Sequence, residues 1–457
     1  MVPFIVGCAL FMQLLDATVI TIAIPAMAED FGVPPVRLNT AITAYLMAAA
    51  VFVPVCGWAA DRFGARRVFL TSILIFTISS LGGASSSSVS ELVGWRIVQG
   101  FGGAMMVPVG RLIMLRTIPK HEILRAMAFL SLPALMGPIF GPPIGGFLVT
   151  YAAWEWIFLM NLPIGLLGLY MTLRFIPSSA NEIIRKPLDL LGFVLSAICL
   201  ATLVAAFEFI ASQTIPGIWV GLMVAVGLGC GYLYREHARR HPNPIIDLRL
   251  LDIPTFRASI LGGNLCRFTV SATPFLLALL LQTGFGMSAM SAGLITFSSA
   301  LGALLMKFGA PPILQRWGYR RVLIINAALT GISLALCAIF TDTTPIWLMI
   351  TLLVISGFFR SLQFTAVNTL GFADIPKPRL SIASGFSAMA QQLGISLGVG
   401  ISALVINLST SLQGHEKPMP SDITVGFVVI GAFCLLSILV FRKLPIDAGA
   451  SLQRNNQ

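Results

Sequence analysis

The chain has 457 residues, of which 57% are hydrophobic and only 10% charged, with 29 Lys and Arg against 18 Asp and Glu and a formal net charge of +11. A soluble chain carries roughly 25% charged residues, so this composition excludes a soluble protein and leaves no domain whose basic face could hold nucleic acid. The chain belongs in lipid.

Apolar runs of about 20 residues recur from end to end, each long enough to cross a bilayer as a helix. They are continuous rather than alternating, which excludes a β-barrel. In chain order the spans lie near 3–27, 38–60, 68–88, 91–114, 124–149, 156–175, 188–210 and 216–234, then 256–281, 288–312, 321–340, 345–368, 381–407 and 422–441. The first, "FIVGCALFMQLLDATVITIAIPAM", is too long for a signal h-region and lacks a basic n-region, so it reads as a span rather than a cleaved peptide. The seven cysteines (8, 56, 199, 230, 266, 337 and 434) are scattered in apolar runs without a Cys-x-x-Cys, which argues against a disulfide framework. The four histidines (121, 237, 241 and 415) are assigned to polar connections, and no metal or cofactor is expected.

Fourteen spans put both termini on one side. The loops after even-numbered spans, with the tail, hold 21 Lys and Arg (residues 62, 66, 67, 116, 120, 125, 174, 185, 186, 235, 239, 240, 249, 316, 320, 321, 377, 379, 442, 443 and 454), and the opposite loops hold only Arg37 and Lys417. By the positive-inside rule the termini are cytoplasmic. Asp61, in the loop "GWAADRFGARRV" (57–68), is left over, because acids contribute little to topology.

Four pieces of the first half return in order in the second. "DRFGARRV" (61–68) matches "QRWGYRRV" (315–322), and "LLDATV" (14–19) matches "NLCRFTV" (264–270), which sets Asp16 against Arg267. "GWRIVQ" (94–99) matches "FFRSLQ" (358–363), and "GPIFG" (137–141) faces "GISLG" (394–398). Spans 1–6 and 9–14 are therefore two copies of one bundle with spans 7 and 8 inserted. Parallel repeats of this kind are a transporter architecture, with the site between the halves. The expected boundaries are 1–176 for the first bundle, 177–250 for the linker and inserted spans, 251–445 for the second bundle and 446–457 for the tail.

On these motifs the chain resembles the major facilitator superfamily, and within it the fourteen-span drug:proton antiporters. "GWAADRFGARR" is similar to the superfamily's cytoplasmic signature loop and "LDATVITIAIP" to the first-span signature of the fourteen-span family. "RIVQGFGGA" (96–104) resembles the fourth-span motif, and "GPIFGPPIGG" (137–146) the fifth-span motif of antiporters. The likeness runs from about residue 10 to 440. It implies an all-α polytopic fold of two six-helix bundles plus two inserted helices, in a bacterial inner membrane, exchanging protons for small molecules. A monomer is expected, and a periplasmic adaptor is left open.

In a rocking transporter the loop 57–68 sits where the halves meet. Gly57 and Gly64 permit close approach and a tight turn, Asp61 can pair with an arginine or a helix N-terminus, and Arg62, Arg66 and Arg67 can grip acids or helix carbonyls. Gln315 stands where the second copy would need an acid, so that copy is expected to hold less tightly. Gly137, Pro138, Gly141, Pro142, Gly145 and Gly146 would break a soluble helix, and in lipid they suit a kinked, tightly packed wall against ion leakage.

Charges inside spans are costly, at about 2.5–3.5 kcal/mol on insertion scales, and mark function by default. Asp16 lies mid-span, with Arg96 and Gln99 in span 4, and the pair is assigned to proton coupling. Arg267, Arg360, Gln363, Asn368, Gln391 and Gln392 join Gln99 as cargo contacts. Glu208 is assigned a peripheral place, and Arg111 and Lys307 are expected to snorkel from the cytoplasmic edge. Export of amphipathic, lipophilic compounds is the leading reading. An anionic metabolite or metal chelate is the second, because one deep acid stands against Arg96, Arg267 and Arg360. A non-transporting sensor is disfavoured, and no nucleophile–base or metal constellation suggests an enzyme.

Overall fold

The computed structural model describes residues 1–177, 187–212, 215–415 and 417–452, apart from the side chains of residues 35, 36, 128, 131–135, 138, 139, 142, 211, 212 and 289. No strand occurs among the described residues. In chain order the long helices are α1 (Val2–Asp30), α2 (Arg37–Phe63), α3 (Ala65–Ala84), α4 (Val89–Thr117), α5 (Ile123–Tyr151), α6 (Trp156–Phe175) and α7 (Leu190–Ile210). The second series is α8 (Gly217–Arg240), α9 (Pro254–Gly284), α10 (Met290–Trp317), α11 (Tyr319–Ile339), α12 (Ile346–Leu370), α13 (Lys377–Leu412) and α14 (Pro420–Phe441). Thirteen of these, α5 excepted, are long and apolar enough among the described residues to cross a membrane. With the 29-residue α5, which contains most of the undescribed side chains, they make fourteen.

Helix ends follow local chemistry. Ser88 opens α4 by accepting the Glu91 N–H on its hydroxyl, while the Glu91 carboxylate accepts the Ser87 N–H at 3.0 Å. Gly64 (φ +88°) and Gly318 (φ +74°) each turn the chain within one residue, from α2 into α3 and from α10 into α11. That left-handed region strains any residue with a Cβ. Several helices overrun the spans expected of them. The longest overrun at a single end is in α8, expected to end near 234, which continues to Arg240 and so takes His237 out of the polar connection to which it was assigned.

Two six-helix bundles result, and their internal packing repeats. α5 lies along α1 with Gly137 against Leu14, Gly141 against Thr18 and Gly145 against Val19. α13 lies along α9 in the same way, with Gly394 against Asn264 and Gly398 against Phe268 and Ser271. At each of these positions except Gly145 and Gly394 a Cβ would come closer than side-chain atoms ordinarily approach. The loop arginines repeat too: Arg66 donates to the Leu173 carbonyl near the end of α6, and Arg320 to the Arg442 carbonyl just past α14, at 2.6 and 3.0 Å. Each guanidinium meets the negative end of a helix dipole. Of the inserted helices, α7 touches α2 and α13 and hence both bundles, while α8 packs chiefly on α7.

Candidate functional site

A buried carboxylate lies at the centre of the first bundle. Asp16 Oδ2 accepts from Arg96 Nη1 at 2.7 Å, with the two side chains only 2% and 1% exposed. Asp16 Oδ1 accepts from Gln99 Nε2 and Asn161 Nδ2, both at 3.0 Å, and the same two amides reach Ser80 Oγ at 2.9 and 3.3 Å. Arg96 also donates to Gln99 Oε1, and its guanidinium lies 4.5 Å above the Tyr45 ring. Helices α1, α2, α3, α4 and α6 thus each give one or two polar or aromatic groups to a single ion pair. Gln99, expected to touch cargo, is part of the Asp16 shell.

Among the described residues, the second bundle holds cations without a matching acid. Arg267 donates to Asn264 Oδ1 at 2.8 Å and to Asn368 Oδ1 at 2.9 Å. It lies in α9 between two π-helical turns, Ala258–Gly262 and Leu279–Gly284, irregularities that favour functional positions. Arg360 reaches the Thr269 carbonyl at 3.5 Å, and Gln363 accepts from Asn326 Nδ2 at 2.9 Å. Arg267, Arg360 and Gln363 line one small cleft together with Cys266, Thr269 and Phe364. Gln392 is half-buried.

Two cations expected to snorkel do not. Arg111 is 5% exposed and crosses from α4 to α13, where it reaches Ser387 Oγ at 3.4 Å and the Gln391 amide, which in turn lies 3.2 Å from Asn368 Oδ1. Lys307 is likewise 5% exposed and donates to Thr365 Oγ1 at 3.0 Å, with the Phe364 ring 5.9 Å away. Lys307 lies on a helix, α10, that packs closely on α12 through Gly302 and Gly357, and Arg111 on α4, which meets α13. Among the described residues, no carboxylate pairs with Arg111, Arg267, Lys307 or Arg360.

The bundles touch on the arginine-rich face. Asp61 accepts from Arg116 at 2.9 Å and from the Ser381 hydroxyl at 2.5 Å, in the first turn of the regular stretch Leu380–Leu412. A Cβ on Gly57 would collide with the Ser381 carbonyl. Ser384 donates to the Pro108 carbonyl at 2.7 Å, and Lys120 to the Ala373 carbonyl at 3.3 Å. Arg62 and Arg67 are exposed. The α5 motif is tightly packed on α1, on a helix that also meets α10 and α12 of the second bundle. Its glycines 137, 141 and 145 face α1 inside the first bundle, Gly146 faces open space, and the helix runs unbroken through them. The side chains of Pro138 and Pro142 lie outside the described residues.

Sequence reading missed Ser80, Asn161 and Tyr45 around Asp16, and Ser381 opposite Asp61. All are neutral, and no spacing marks neutral groups contributed by separate helices.

Comparison with known proteins agrees with this architecture. The model of the Major Facilitator Superfamily matches residues 6–189 and 260–455, leaving both inserted helices, α7 and α8, and the start of α9 unmatched. A relative from Pectobacterium atrosepticum, named MdtD and described provisionally as a multidrug resistance protein, is 36% identical over 446 residues, covering 97% of this chain and 95% of its own. The MdtD of Cronobacter sakazakii is 37% identical over 450 residues, 97% and 94% of the two chains. Among solved structures, the human organic anion transporter MFSD10 superposes with a TM-score of 0.70 at 16% identity over 96% of this chain and 98% of that one. The proton:xylose symporter XylE gives 0.69 at 15% identity over 99% and 97%. The chain belongs to the Major Facilitator Superfamily and is a multi-pass membrane transporter.

Proposed function

We propose that the protein is a proton-coupled antiporter of the bacterial inner membrane that exports amphipathic, lipophilic compounds by alternating access. The bundles are 1–176 and 251–445, with the linker and inserted spans at 177–250 and a tail at 446–457. Both termini are cytoplasmic, as the 21-to-2 distribution of Lys and Arg argues. The Asp16–Arg96 pair carries the reading. A carboxylate enclosed at 2% exposure with one cation and two amide donors is costly to build, and removing one partner of such a pair costs about 3–5 kcal/mol. A transporter gains from that cost if movement of the bundles opens the shell: the carboxylate then takes a proton from one side and yields it when Arg96 closes on it again.

In this conformation Asp61, Arg116 and Ser381 hold the cytoplasmic ends together. The Asp61–Arg116 pair keeps some contact with solvent, and an ion pair of the exposed kind is worth only about 0–1 kcal/mol, so the group can part once per cycle. The α5 glycines keep α1, and with it Asp16, pressed against the rest of the first bundle. The name of the MdtD relatives supports a lipophilic cargo. The decisive measurement is uptake into proteoliposomes of the purified protein under an imposed pH gradient, screened against lipophilic cations and organic anions.

A second reading changes only the cargo, to an anionic metabolite or metal chelate. The buried Arg111, Arg267 and Lys307, with the half-buried Arg360, are unmatched by acids among the described residues and favour it, because enclosed cations without counter-charges are stabilised by a bound anion. The same screen separates the two.

A further inference from the structure

The α7–α8 hairpin carries a polar knot at its base that transport, as read above, does not use. Asp189, the residue before α7, is 4% exposed. Its Oδ1 accepts the Gly192 N–H at 2.9 Å and lies 2.7 Å from His237 Nε2 in the last turn of α8, and its Oδ2 accepts the Ile245 N–H at 3.3 Å. One turn further on, the half-buried His241 ring stacks on that of His237, with centroids 5.1 Å apart and planes 30° apart. The Asn243 N–H approaches His241 Nδ1 at 3.3 Å. One ligand atom from each of Asp189, His237 and His241 lies within 4.8 Å of the other two.

Two imidazoles at i and i+4 with a carboxylate from a facing segment are the donor set of a borderline divalent ion such as Zn2+, Co2+ or Ni2+, whereas Mg2+ and Ca2+ take oxygen. Around a tetrahedral ion with bonds of about 2.0–2.2 Å, neighbouring ligand atoms stand a little over 3 Å apart. The Asp189–His237 contact is shorter than that and the three ligand atoms lie within 4.8 Å of one another, so the side chains, His241 above all, must turn inward for all three to hold one ion. We propose that Asp189, His237 and His241 form a binding site for a divalent transition-metal ion, with water at the fourth position. The ion takes the place of the proton now shared between Asp189 and His237.

The site's location gives the ion a consequence. Tyr234 of α8 donates to the Ile246 carbonyl at 2.7 Å and accepts the Ile246 N–H at 2.8 Å, and Asp247 lies 4.0 Å from Arg379 in the first turn of α13. A bound ion therefore ties both inserted helices to the segment that enters the second bundle. This requires only the fold and is independent of cargo and of proton coupling.

Full-length protein, purified in detergent on a tag without histidines, is titrated with Co2+ and then Zn2+. One equivalent of Co2+ is expected to give the visible absorption of a four- or five-coordinate ion, and Zn2+ to displace it and raise the melting temperature. His241→Ala, which removes a half-buried ring without touching the α7 cap, is expected to weaken Co2+ binding at least tenfold, and His237→Ala with His241→Ala to abolish it. Asp189→Asn also disturbs the α7 cap, so the histidine variants carry the test. Absence of a stoichiometric band, or equal Co2+ affinity in the double variant, overturns the site and leaves Asp189–His237 a structural hydrogen bond.

Discussion

Asp16 and Arg96 meet at 2.7 Å inside the first bundle, from helices 80 residues apart, with neither side chain more than 2% exposed. Proton coupling through this pair predicts that Asp16→Asn loses uphill, pH-driven efflux entirely. Exchange of labelled for unlabelled cargo without a gradient is expected to persist, which separates lost coupling from lost folding. Leaving Arg96 without its counter-charge also lowers stability, by about 3–5 kcal/mol. Glu208→Gln, in the half-buried α7 position, is expected to change efflux less than twofold. Uphill transport by Asp16→Asn would remove Asp16 from the mechanism.

The contact of Asp61 with Arg116 and Ser381 predicts a kinetic defect. Asp61→Asn is expected to insert and bind cargo normally while transport slows at least tenfold, and Ser381→Ala to slow it less. Wild-type rates in Asp61→Asn would reduce the loop to a topology anchor.

Two neighbouring glycines of α5 give a matched pair. A Cβ at Gly141 would strike Thr18 of α1, whereas one at Gly146 would meet nothing within 4 Å. Gly141→Leu is therefore expected to cost stability, about 1–3 kcal/mol from overpacking, and to leak protons in proteoliposomes. Gly146→Leu is expected to melt and couple like wild type. Equal behaviour of the two would show that the α1–α5 contact does not govern the seal.

Cargo charge can be read at Arg267, which is 3% exposed and, among the described residues, bonded to neutral groups. If the cargo is anionic, Arg267→Gln is expected to raise KM at least tenfold; a lipophilic cation is expected to be carried as well or better. Transport assays with one cargo of each sign decide it.

Orientation is checked by tags. A reporter at the C-terminus is expected on the cytoplasmic side and one at Gln413 on the periplasmic side. The reverse result would overturn the charge argument.

Much of the fold was legible because lipid removes alternatives. Where no water can satisfy the backbone, an apolar run of about 20 residues has to be a helix, and Lys and Arg have to stay in its loops. The repeat was legible for a similar reason. A glycine that must turn the chain, such as Gly64 or Gly318, or one that must let two helices touch, such as Gly141 or Gly398, tolerates little substitution within one chain's two copies.

What the sequence determined by itself, then, was the class, the helices, the two-fold repeat and the rare charges inside them, since each depends on the local preference of a segment for lipid or water. Partners were decided only by tertiary structure. Nothing local to Asn161 or Ser80 sends them to Asp16, and nothing local to Arg111 turns it inward to α13 rather than out to the membrane surface. The gap between His237 and Asp189 along the chain is 48 residues, and only the packing of α8 on α7 closes it to 2.7 Å. The physical reason is the same each time. A buried polar group must be satisfied by whatever donor or acceptor the packing of other helices brings within about 3 Å, and the helix that carries it has no say in which.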